Sequence, residues 1–125
     1  MKPSKFMILI LFLAVLALIL AYAVKYQPFK APIPEAKVVL KDDSFEPESL
    51  TITKGTMVIF QNEGSKPHWP ASNLHPTHGI YPEFDPQIEV PNGQSWSFVF
   101  EKPGKWKYHD HLYPEIRGEI NVSQK

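Results

Sequence analysis

GKWKYHDHLYPEIRGEINV, residues Gly104 to Val122, reads as a strand, a short loop and a second strand. Trp106, Tyr108 and Asp110 alternate with Lys105, Lys107 and His109, the period of a half-buried strand. Beyond the loop, Ile116, Gly118, Ile120 and Val122 alternate with Arg117, Glu119 and Asn121. Between the strands stands His109-Asp110-His111, followed by Leu112-Tyr113-Pro114. A lone histidine at a strand end is usually just solvated. A His-x-His pair with His68, His75 and His78 upstream points instead to a metal site. If the strand runs on, His111 shares the His109 face, and Asp110 faces the other way.

Composition narrows the chemistry around that hairpin. The chain has 125 residues and a formal net charge of zero, so neither nucleic acid nor an anionic membrane surface has electrostatic support. No cysteine is present, which excludes disulfides, thiolate metal sites, thiol catalysis and a lipid-modified N-terminal cysteine. Thirteen prolines, with little helical pattern after residue 24, imply an all-β domain with many turns.

Phe6 to Val24 carries no charge and follows Lys2 and Lys5. At about 1.5 Å per residue it spans roughly 28 Å, close to a hydrocarbon core. Ala21-Tyr22-Ala23 fits a signal-peptidase site, but the apolar run exceeds the usual signal core of ~7–15 residues. The expectation is an uncleaved transmembrane anchor over residues 1–24, with the rest of the chain on the extracytoplasmic side (periplasm or cell surface). Residues 25–35 contain Pro28, Pro32 and Pro34 and read as an extended spacer. Residues 36–125 form the domain.

Within it, Ala36–Leu40 is a plausible first strand, and Thr51-Ile52-Thr53 a short one before the Lys54-Gly55 turn. Thr56–Asn62 has apolar residues on both faces, as a central strand would. Pro67 and Pro70 argue against a strand centre around His68. Residues 71–91, ASNLHPTHGIYPEFDPQIEVP, are irregular, and loops of that length are usually functional. Trp96, Phe98 and Phe100 then alternate with Ser95, Ser97 and Val99, giving a strand with one aromatic face. Six to eight short strands suit a sandwich. There is no internal repeat, phosphate-binding glycine loop, paired catalytic carboxylate motif or serine nucleophile motif. Nothing demands an enzyme, and a non-catalytic metal-binding or electron-transfer protein is the expectation.

The run Phe45-x-Pro47-x-x-Leu50-Thr51-Ile52-x-x-Gly55-Thr56-x-Val58-x-Phe60-x-Asn62 is followed by Pro67-His68, Gly104-x-Trp106-x-Tyr108 and Gly118-x-Ile120-x-Val122. Together they resemble the cupredoxin family of plastocyanin- and amicyanin-like proteins, over roughly residues 36–123. The resemblance implies a Greek-key β-sandwich, preceded here by one N-terminal transmembrane helix, with a metal site at one end. His68 matches the family's first histidine ligand. The cysteine position falls on Asp110, the second histidine on Tyr113 and the methionine on Ile116, so three of four blue-copper ligands are replaced. Trp106-Lys107-Tyr108-His109-Asp110-His111 is similar instead to the Trp-Tyr-His-x-His segment of multicopper oxidases.

These features together suggest a rebuilt site using His68, His75, His109 and His111, with His78 as a further ligand. Asp110 enters as a ligand or as an acceptor that fixes an imidazole. Glu83, Asp85 and Glu115 are lesser candidates that read more readily as solvated surface carboxylates. Imidazole does not choose among Cu, Zn, Ni and Fe. Copper leads by affinity order and by resemblance, with zinc as the alternative. The hairpin histidines are expected to be held more firmly than those in the long loop. The function expected is a membrane-anchored extracytoplasmic protein for copper handling or for electron transfer with a membrane partner. The alternative is a cupredoxin-like interaction module that holds no metal.

Overall fold

The computed structural model describes residues 2–27 and 31–124. It divides into two units, Met1–Pro32 and Ile33–Lys125. In the first, helix α1 runs Lys5–Lys25. The Ser4 hydroxyl caps it, accepting from the Met7 N–H at 3.2 Å, and so satisfies one of the free donors of the first turn. The helix is long and apolar enough to cross a membrane, with a mean hydropathy of 3.1, and none of its side chains is buried within the protein. A membrane anchor and a signal sequence both fit that description. Lys25, assigned above to the spacer, is the last residue of the helix. The rest of the spacer falls partly on residues 28–30, outside the described residues.

The second unit is a cupredoxin-like sandwich of two mixed sheets. Its strands are β1 (Glu35–Leu40), β2 (Phe45–Glu46), β3 (Ser49–Thr53), β4 (Thr56–Asn62), β5 (Pro70–Ser72), β6 (Ser95–Phe100), β7 (Gly104–Asp110) and β8 (Arg117–Ser123). One sheet has the order β2-β1-β4-β6, the other β3-β8-β7-β5. The β1–β4 and β3–β8 pairs are parallel, and the remaining pairs antiparallel. β4 is central as its sequence implied: Val58 and Phe60 are fully buried, while Met57 and Ile59 on its other face are only half covered. β5 begins at Pro70 and lies at a sheet edge, where a residue without an N–H removes no ladder bond from the sheet centre.

The core interleaves Val38, Leu40, Phe60, Phe100, Tyr108 and Ile120 from both sheets. Phe84, from the irregular stretch, joins them with no exposure, stacked on Phe98 and edge-on to Phe100. Burying such a side chain contributes about 1.5–3 kcal/mol, which offsets part of the entropy lost in ordering the loop. A backbone bond from Ser72 N–H to Phe84 C=O (2.9 Å) fastens the same loop to β5, and one from Ile80 N–H to Asn73 C=O (2.8 Å) ties it back just beyond that strand. The loop therefore lies over β7, and this explains a departure from simple alternation. Tyr108, His109 and Asp110 are all buried, although consecutive strand residues face opposite sides.

Candidate metal centre

His109 lies on the loop-covered face of β7, opposite to Tyr108 and Asp110. The His111 N–H donates to the Trp69 carbonyl at 2.8 Å, so the chain stays extended past the end of β7. His111 thereby returns to the His109 side, with the two ring centroids 6.4 Å apart. The loop brings His75 and His78 onto the same face. His78 sits in the left-handed backbone region (φ 53°), uncommon for a residue with a β-carbon, and its N–H is held by the Leu74 carbonyl at 2.6 Å. One ligand nitrogen from each of His75, His78, His109 and His111 lies within 4.8 Å of all the others.

Hydrogen bonds select which nitrogen faces the centre. His78 Nδ1 is 2.6 Å from Asp85 Oδ2, which leaves Nε2 pointing inward, 2.9 Å from His111 Nδ1. His109 Nδ1 is 2.9 Å from Asn73 Oδ1, and its Nε2 lies 3.2 Å from His75 Nδ1. A carboxylate and an amide oxygen can only accept, so both contacts place the proton on Nδ1 and the lone pair on Nε2. Asp85 also accepts from Trp69 Nε1 and the Gln87 N–H, both at 2.8 Å. Burial opposes its ionisation, but the bonds from His78, Gln87 and Trp69 together hold its pKa below the ordinary carboxylate value. Trp69 lies over His111, with ring centroids 4.7 Å apart.

Electrostatics favour the form of imidazole that ligates. Burial, followed by the neighbouring imidazoles, lowers the His109 pKa from 6.5 to about 4. The same causes lower that of His111. Both rings are therefore neutral at pH 7, as coordination requires. The donor set suits a borderline ion such as Cu(II) or Zn(II). Metal–nitrogen bonds near 2.0 Å put cis donor nitrogens roughly 2.8–3.3 Å apart. The His78–His111 and His75–His109 contacts, at 2.9 and 3.2 Å, already have that spacing.

His68 and Asp110 lie outside this group. His68 Nδ1 donates to Asp110 Oδ2 at 2.5 Å, with both side chains fully buried. The other Asp110 oxygen accepts from the N–H groups of Trp69 (3.1 Å) and Leu112 (2.9 Å). Asp110 thus fixes the loop end of the hairpin and touches none of the four clustered imidazoles. His68, expected among the ligands from the resemblance, is used in this pair. Tyr113 stands edge-on to His68 at 5.9 Å, and the Asp110 N–H donates to the Ile116 carbonyl at 2.9 Å. The four positions matched to blue-copper ligands are therefore neighbours, but without a sulfur among them.

The sequence matches the model of the cupredoxin-like domain over residues 9–122. The chain belongs to the cupredoxin-like domain family. No curated protein matches it. Among solved cupredoxin structures, a reduced amicyanin variant superposes with a TM-score of 0.61 at 21% identity, covering 75% of this chain and 87% of amicyanin. The Cu(I) form of another amicyanin variant gives 0.60 at 22%, over 75% and 86%. A purple cupredoxin from Nitrosopumilus maritimus gives 0.56 at 25%, over 70% and 99%. This cupredoxin-like chain differs from the blue-copper pattern at the site itself: its histidine cluster occupies the opposite face of β7 from the cysteine-equivalent Asp110.

Of the residues around the cluster, Asn73 carries no signal in the sequence. Asp85, a lesser candidate that the sequence weights toward the surface, holds His78 and Trp69. Asn73 fixes His109, and Trp69 walls His111. None has a fixed spacing to a histidine that would have marked it. Glu83 does lie at the surface, paired with Lys102 at 2.9 Å.

Proposed function

We propose that this chain is a membrane-tethered, extracytoplasmic copper-binding protein, with His75, His78, His109 and His111 holding the ion. The observation that carries the reading is the four-imidazole cluster, its inward nitrogens selected by Asp85 and Asn73. Family membership and the likeness to a purple cupredoxin support copper over zinc. So does the affinity order, in which Cu(II) outranks Zn(II) for nitrogen donors. Neutral imidazoles without thiolate or thioether favour Cu(II) over Cu(I), which suits holding and delivery of Cu(II) better than rapid electron exchange. The apolar helix α1 supports tethering at a membrane.

The test is to load the full-length protein in detergent with Cu(II) or Zn(II), remove free metal, and measure metal content and the paramagnetic resonance spectrum. One retained Cu(II) with nitrogen hyperfine structure and no intense blue thiolate band is the expected result. Failure to retain stoichiometric metal would refute the reading and leave the interaction module in its place. Melting temperature gives the second readout, since an ion bound only by the folded state must raise it.

A further inference from the structure

The four-histidine site is covered at His78 and exposed at His75. His78 is buried and backed by Asp85 and Trp69, whereas His75 is exposed. On the His75–His109 side lies a cleft of about 260 Å³ lined by Asn73, Leu74, His75, His109, Pro114 and Arg117. Arg117 of β8 is the register partner of His109 on β7, so the two side chains share one face with Cβ atoms about 4.5–5.5 Å apart. The Arg117 Nε donates to the Pro114 carbonyl at 3.2 Å, which orients the arm. Among the described residues no carboxylate lies within ion-pair distance of its guanidinium.

The charges then call for an anion. Imidazole ligands carry no charge to offset that of a divalent ion, and the Arg117 guanidinium adds another positive charge beside it. Among the described residues Asp85 is the one carboxylate bonded to a clustered histidine, and Asp110 is committed to His68. We propose that the cleft is a binding site for a small oxyanion of the carboxylate or bicarbonate class. One oxygen faces the metal at the His75–His109 edge, and another accepts from the Arg117 guanidinium. This rests on the copper reading above. The size of the ligand follows from the cleft itself, which is about 260 Å³. Past Asn73 and Arg117 lies a second cleft flanked by Glu48 and Glu119 as well as Lys107, where a longer anion would meet two carboxylates.

Formate is the probe. The copper-loaded full-length protein is titrated with formate at fixed pH and ionic strength, with sodium perchlorate as the control salt, while the resonance spectrum and the ligand-field absorption are followed. The expected result is a saturable spectral change. In Arg117→Gln the formate affinity falls about tenfold, the loss of one charge-assisted hydrogen bond, with copper content unchanged. Arg117→Lys, which keeps the charge but not the fork, falls in between. Retained copper with a spectrum insensitive to formate, or equal formate affinity in Arg117→Gln, overturns the anion site and leaves the copper reading standing. Loss of copper from the parent protein overturns both.

Discussion

Asp85→Asn isolates what the carboxylate does for the metal centre. The substitution is isosteric, and an amide oxygen at Oδ1 still accepts from Trp69 Nε1 and the Gln87 N–H. What changes is the atom 2.6 Å from His78 Nδ1, where an acceptor becomes a donor when the amide is so oriented. His78 then presents its Nδ1 lone pair to that amide, and its proton moves to Nε2, the nitrogen that faces His111. A protonated Nε2 does not ligate. Removal of comparable partners of ligating histidines costs 10–100-fold in metal affinity. At about 1.4 kcal/mol per decade this is roughly 1.4–2.8 kcal/mol. The assay is Cu(II) competition against a chelator of known affinity, read by quenching of Trp69, whose ring lies 4.7 Å from that of His111. Thermal melting of the metal-free variant, expected to stay close to the parent, separates binding from folding. A copper affinity within threefold of the parent at unchanged stability would refute the argument that Asp85 sets the His78 tautomer.

Asp110→Ala removes the partner of a fully buried histidine and orphans two backbone N–H groups, so it should destabilise the domain by about 3–5 kcal/mol in chemical denaturation. Gly118→Ala should also destabilise it, because a β-carbon there would stand 2.5 Å from the buried Tyr108 ring; about 1–3 kcal/mol in the same experiment is expected. His109 has a folded pKa of about 4 against 6.5 unfolded, so the unfolded chain binds the extra proton between those values. Its contribution to stability is complete above pH 6.5 and is lost as pH falls toward 4; metal-free melts across that range should show a shallower acid decline in His109→Gln. Among the ligands, exposed His75 should be the least costly to delete and buried His109 the most, by copper titration of the alanine variants, a ranking that reverses if the loop alone holds the ion.

Period-two alternation in residues 104–122 was enough to place β7 and β8, and with them the hairpin that carries His109 and His111. The uncharged run from Phe6 was enough to place α1. These are local properties: a strand's faces and a helix's apolar length are written in consecutive residues. Membership in the cupredoxin-like family was likewise legible, because its glycine, proline and aromatic positions recur at fixed intervals.

Which face of β7 would be covered was not local. That depended on Phe84 entering the core and drawing residues 73–85 over His109, so that both faces of β7 are buried at its end. Irregular backbone has no period, so its histidines could be counted but not aimed. Asp110 illustrates the same limit. In sequence it stands between two candidate ligands. In the fold, its pairing across the sheet with Pro70 brings it beside His68 and commits it to a hydrogen-bonded pair. Tertiary contacts alone decided which of five histidines gather, because coordination depends on distances between residues as far apart in the chain as His75 and His109.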